Sequence, residues 1–166
     1  MSVKRNKNKR GLAYLTNMPT KLLSDTDIEK RCKFNFSYLH HSGEWGQDFI
    51  EWNLAAGNSS IVKLINKIKD YTKSSLEHWV NKPCTGGHVL KFYDRFPLHS
   101  NFSQPKSIPT DVEWGVFRLE NKARLVGFRV SETTSAVYEQ KYCTNTFYVV
   151  FLDNNHDFYP TTKRNT

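Results

Sequence analysis

Between residues 61 and 71, the apolar residues Ile61, Leu64, Ile65, Ile68 and Tyr71 recur at i, i+3, i+4, i+7 and i+10, while Lys63, Lys67 and Lys69 fall off that stripe. This period predicts an amphipathic helix laid on a core, with Asn58, Ser59 and Ser60 as available N-caps. Upstream, Phe49, Trp52 and Ala55/Ala56 repeat at the same spacing and predict a helix over 46–56 that Gly57 stops. Leu76 and Trp79 add a helical turn over 75–80, ahead of Pro83. Residues 20–31, with Leu22, Leu23 and Ile28 as apolar positions and Asp25 and Asp27 suited to a first turn, predict a further short helix.

Elsewhere the pattern has a period of two. Residues 32–39, CKFNFSYL, put Phe34, Phe36 and Tyr38 on one face of a half-buried strand. Three more strands are predicted at Trp114–Leu119, Arg124–Val130 and Thr146–Leu152. The polar break Glu120-Asn121-Lys122 makes the first two a hairpin, and 131–145 reads as a polar connection. FYVVFL is apolar on both faces, as a central, doubly covered strand is. Residues 81–111, with Gly86, Gly87, Pro97, Pro105 and Pro109, form a long insertion. Within it Val89, Leu90, Phe92, Tyr93 and Phe96 supply a strand or a packed flap. The order β-α-α-β-β-β predicts an α+β fold with two helices packed on one face of an antiparallel sheet.

Composition narrows the setting. The 166 residues suit one domain, with no disulfide or metal needed for folding. No apolar run approaches the ~20 residues of a membrane span, and the basic N-terminus lacks the apolar stretch of a secretory signal. Cys32, Cys84 and Cys143 are odd in number and widely spaced, which argues for reduced thiols in a cytoplasm. The net charge of +8 sits at the ends. Lys4, Arg5, Lys7, Lys9, Arg10, Lys163 and Arg164 lie in tails without an acid, while 11–160 holds 17 basic and 16 acidic residues. Such tails suit nucleic acid or an acidic partner. The chain thus divides into a basic extension (1–31), a domain (32–160) with its insertion at 81–111, and a basic tail (161–166).

Two segments carry a family resemblance. WGVFRLENKARLVGFRV, residues 114–130, resembles the paired strands of the RelE/ParE toxin superfamily, and FYVVFLDNNHDFYP, residues 147–160, resembles that family's last strand and the catalytic polar residues after it. The likeness covers about 32–160 in element order and 114–160 in motif. It implies a RelE-like fold and a cytoplasmic, metal-free endoribonuclease acting on mRNA, on or off the ribosome, with an acidic antitoxin as partner and no cofactor. It also implies that Arg124 is the phosphate-binding arginine and Arg118 the basic residue of the preceding strand.

Metal-free RNA cleavage needs a proton acceptor, a proton donor and a cation on the phosphorane. An arginine fork fits that cation's role. Arg124 shares a strand face with Val126, Phe128 and Val130, where a charge needs a partner or a cleft. Histidine titrates near neutrality, so His156 is the proposed acid or base, and Tyr159 is placed to position phosphate or base. Arg129, on the opposite face from Arg124, and the tail residues Lys163 and Arg164 are secondary RNA contacts. His40-His41, on opposite strand faces, make a poor chelate, so no metal is expected. The alternative is a non-catalytic RelE/ParE-like module that binds a protein or nucleic acid, a gyrase-poisoning role included.

Overall fold

The computed structural model describes residues 9–41, 45–55, 60–138 and 142–160. In chain order the elements are α1 (Lys9–Asn17), β1 (Lys33–Asn35), α2 (Phe49–Ala55), α3 (Ser60–Tyr71), α4 (Leu76–Asn81), β2 (Pro83–Cys84), β3 (Gly87–His88), β4 (Leu90–Tyr93), β5 (Glu113–Arg118), β6 (Arg124–Arg129), α5 (Glu132–Val137) and β7 (Thr146–Asp153). The fold is α+β. Five strands form one sheet in the order β1-β7-β6-β5-β4, and β2 and β3 make a separate two-stranded hairpin.

The sheet is mixed, which corrects the antiparallel expectation. Strands β4 to β7 pair antiparallel, but β1 runs parallel to β7, with Lys33, Phe34 and Asn35 opposite Thr146, Phe147 and Tyr148. The two strands are far apart in the chain: the helices lead from β1 at one edge to β4 at the other, and β7 enters between β1 and β6 last. The first strand also ends at Asn35, and Leu39 N–H donates to Phe36 O in a turn. Residues 20–31 hold two short 3₁₀ turns, Leu23–Asp25 and Ile28–Lys30, in place of the expected helix, and bury no residue. The polar stretch 131–145 contains α5, whose N-cap Ser131 accepts from Thr134 N–H. Ala56, Gly57, Asn58 and Ser59, expected as helix end and caps, lie outside the described residues.

One face of the sheet carries the helices. Trp52, Leu64, Tyr71, Leu76 and Trp79 from α2, α3 and α4 pack on Leu90, Phe117, Leu125, Phe147 and Val149. Burying side chains of this size contributes roughly 1.5–3 kcal/mol each. Ile65, expected in the stripe of α3, is exposed. Helix α2 begins with a capping box: Glu51 N–H donates to Asp48 Oδ1 at 2.7 Å, and Asp48 N–H donates to Glu51 Oε2 at 3.1 Å.

The other face is covered by the insertion rather than by helices. Phe102, Ile108 and Val112 pack with Trp114, Val116, Val126, Phe128, Phe151 and Phe158. Strand β4 lies inside the insertion and forms the sheet edge beside β5. Strand β7 carries a bulge: Val126 pairs with Phe151 and Gly127 with Val149, so Val150 is the extra residue. Two consecutive residues, Val150 and Phe151, then face the insertion side, and the alternation beyond them is reversed. No described helix is long and apolar enough to cross a membrane.

Candidate active site

The hairpin β5–β6 places Arg118 directly opposite Arg124, and β6–β7 places Arg124 directly opposite Asp153. Side chains at such cross-strand positions share a face. The row Arg118–Arg124–Asp153 therefore crosses three neighbouring strands at the end of the sheet, on the face away from the helices. Asp153 is there because of the bulge. Without Val150 as an extra residue, the period of two would turn its carboxylate toward the helices.

Each member of the row is held in place. Arg124 is buried and its Nη1 donates to Asn121 O at 2.9 Å and Ala123 O at 2.8 Å, bracing the β5–β6 turn. Burial, with the like charge of Arg118 next in size, lowers its pKa from the ordinary arginine value, and Asp153 opposes that shift. Arg118 reaches over the edge strand to the β2–β3 turn, where Nη1 donates to Thr85 O at 2.9 Å and Nη2 to Gly86 O at 2.5 Å. A Cβ on Gly86 or Gly87 would lie 3.1 Å from that guanidinium, and both glycines have positive φ (+81° and +139°). Two adjacent glycines are thus what lets the turn close on Arg118. From below, the buried Tyr71 hydroxyl donates to the Arg118 carbonyl.

Asp153 is 2% exposed and accepts three backbone N–H groups: Asn155 and Asp157 on Oδ1 at 3.1 and 3.0 Å, and Phe158 on Oδ2 at 3.0 Å. Burial raises its pKa, against the pull of those three donors. The carboxylate ties down the turn after β7. That turn holds His156 in the left-handed region at φ 67°, seats Phe158 in the core, and sends Tyr159 outward to stack on Tyr93, with ring centroids 5.2 Å apart at 22°.

Arg118, Arg124, Arg129, His156 and Tyr159 all line one cavity of about 610 Å³, together with Lys91, His88, Tyr93 and Asp153. Among the described residues, Asp153 is the one acid on its wall. The Lys91 ammonium lies 4.9 Å from the Tyr93 ring centroid and 6.0 Å from that of Tyr159. The cavity wraps the edge strand β4. On its helix side lies Arg129, paired with Glu113 at 2.7 Å and stacked over Phe92 at 4.0 Å, so its charge is already neutralised. Arg118 and Arg124 also reach a second hollow of about 810 Å³ beneath α3 and α4, which adds Lys67, Lys73 and Lys82. Lys163 and Arg164 lie outside the described residues.

The chain matches no family model, no curated protein and no solved structure.

Sequence reasoning passed over two groups in this site. Asp153 reads from the sequence as a turn residue beyond the predicted strand Thr146–Leu152, whereas it ends β7 and its direction depends on a bulge that apolar alternation does not reveal. Lys91 and Tyr93 belong to the strand inside the insertion, which pairs with β5 and places them on the cavity wall beside the hairpin.

What the arrangement can do chemically is bind an anion. A guanidinium has five N–H donors. Arg118 and Arg124 each give two hydrogen bonds to carbonyls, leaving donors on both for an oxyanion in the cavity. Away from it, His41, Asp48 and Glu51 bring potential ligand atoms within 4.8 Å of one another. The two carboxylates form the capping box of α2, His41 Nε2 is 3.3 Å from Glu51 Oε2, and none of the three lines the cavity. The three cysteines are free. Burial pushes the Cys32 thiol up to about 12, and no cysteine lines the cavity.

Proposed function

We propose that this chain is a RelE-like endoribonuclease toxin that holds an RNA phosphodiester on Arg118 and Arg124 and cleaves it without metal. The observation that carries this reading is the cross-strand arginine pair opening into the same cavity as His156 and Tyr159. Two neighbouring cations on one wall, one of them buried, favour a ligand with concentrated negative charge. His156 is the proton carrier in this scheme, taking the 2′-hydroxyl proton or supplying one to the leaving 5′-oxygen. Tyr159, exposed and backed by Tyr93, offers a flat surface for a base. The succession of strand, helices and antiparallel strands supports the family likeness, with α4, the β2–β3 hairpin and β4 added before the β5–β6 hairpin. An acidic antitoxin segment is the proposed partner, competing for the same cations.

The test is purified protein on a defined mRNA, with and without ribosomes, read by primer extension. His156→Gln is expected to lower the cleavage rate about 10²-fold or more, and Arg124→Lys, which keeps the charge but not the fork, by a comparable factor. Intact RNA under all conditions overturns the catalytic reading.

One observation favours the second reading, a non-catalytic module that binds protein or nucleic acid. The arginine pair already braces two turns through Asn121, Ala123, Thr85 and Gly86. That reading predicts RNA binding without cleavage and no effect of His156→Gln.

A further inference from the structure

The stacked pair Tyr93–Tyr159 has a second side. Beyond it lies a hollow of about 870 Å³ that shares Phe92, Tyr93 and Tyr159 with the cationic cavity. Most of its remaining wall comes from the insertion, with Arg95, Phe96, Leu98 and His99, and Asp94 is the one acid there among the described residues. Phe96 makes a firm floor, edge-on to Trp114 at 4.9 Å and to Phe158 at 5.3 Å. The loop is pinned to the turn after β7, since Asn101 N–H donates to Asp157 O at 3.0 Å and Asn101 Nδ2 donates to Asp157 Oδ1 at 3.0 Å. On this anchored loop Leu98 is 86% exposed. Among the described residues no ion pair holds Arg95. An aromatic wall, an exposed aliphatic side chain and a guanidinium without an ion pair among the described residues suit a flat, polar-edged ring that adjoins a negative charge.

We propose that this hollow is a second nucleotide subsite, resting on the reading of the first cavity as a phosphodiester site. The base next to the held phosphate lies against the far side of the Tyr93–Tyr159 wall, with Arg95 over its face or on its outer phosphate. The substrate class is then single-stranded RNA of at least two nucleotides. In a duplex the bases are stacked on their neighbours and cannot straddle a wall of protein rings. The subsite also gives the insertion a task apart from covering the sheet: it lengthens the strand-binding surface past the cleavage point, where stacking and cation contacts add affinity without reading sequence.

The experiment uses the full chain and two probes, a nucleoside 3′,5′-bisphosphate and a 2′-O-methyl tetranucleotide that resists cleavage, with binding followed by calorimetry. The tetranucleotide is expected to bind at least about tenfold tighter than the bisphosphate, as one added stacked base allows. Arg95→Ala and His99→Ala are expected to remove most of that advantage and to leave bisphosphate binding unchanged. Arg124→Lys is expected to weaken both probes. If Arg95→Ala weakens neither probe, or both equally, or if a duplex of the same sequence binds as tightly as the single strand, the second subsite is overturned. Binding of the bisphosphate that Arg124→Lys does not weaken overturns the first-cavity reading. Failure of both probes to bind overturns the two together.

Discussion

Asp153 shows how much can depend on one buried carboxylate. It organises the turn that presents His156 and Tyr159, yet it lies where burial disfavours its charge. Because its pKa is raised in the folded chain, its contribution to stability is fully present below the unfolded carboxylate value and is lost as pH rises through the folded one. The stability of the wild type relative to Asp153→Asn is therefore expected to increase as pH is lowered from 7 toward 4, measured by urea unfolding at each pH. A decrease would show that the turn's three N–H donors outweigh burial. At fixed neutral pH, Asp153→Ala leaves those donors without their acceptor and is expected to cost about 2–3 kcal/mol. At this scale the sequence was partly legible. Arg118, Arg124, His156 and Tyr159 stood out because each is a chemically distinctive side chain within or just after a predicted strand. Asp153 did not, because a residue's face is counted from strand alternation, and Val150 breaks the count.

Among the elements, the β5–β6 hairpin and β7 were readable nearly to the residue, since their apolar runs are bounded by polar turns and mostly buried. The direction of β1 was not. Alternation says that a strand is half-buried and nothing about which neighbour it meets or which way it runs. The expected helix at 20–31 failed for a related reason. Leu22, Leu23 and Ile28 are apolar but have no surface to pack on, and all three are exposed, so no tertiary contact sustains a helix there. Glycine matters most where β6 crosses β7 at the bulge. A Cβ on Gly127 would sit 2.1 Å from the Tyr148 carbonyl oxygen and 2.7 Å from the Phe147 ring. Backbone cannot yield there as a side chain can, so Gly127→Ala is expected to destabilise the fold by about 3 kcal/mol or more. Gly115→Ala meets the rings of Phe92 and Phe147 at 2.6–2.9 Å instead and is expected to cost less, both being read from thermal unfolding followed by circular dichroism.

Across the whole molecule, the two sheet faces are closed by different means: packed helices on one side, an irregular proline-bearing insertion on the other. The sequence showed that β7 must be covered twice but not by what, because a covering loop has no periodicity. The N-terminal arm is the opposite case. Tyr14, Leu15, Met18, Leu22, Leu23 and Ile28 are all exposed, and the arm joins the body at Lys30, whose carbonyl accepts from Asn145 Nδ2 at 2.6 Å. Removing residues 1–28 is therefore expected to leave the urea midpoint and the slope of unfolding unchanged, because that slope follows the surface buried on folding. A shallower slope in the truncated chain would mean that the arm belongs to the cooperative unit.

The sheet order carries a consequence for the chain's synthesis. Of the five paired strands, β7 is the last to leave the ribosome, yet it separates β1 from all the others. Until residue 153 has emerged, β1 has no neighbour, β6 has an open side, and the arginine row lacks its acid. A nascent chain therefore cannot close this sheet, or complete the row from Arg118 to Asp153, before the residues of β7 have left the exit tunnel.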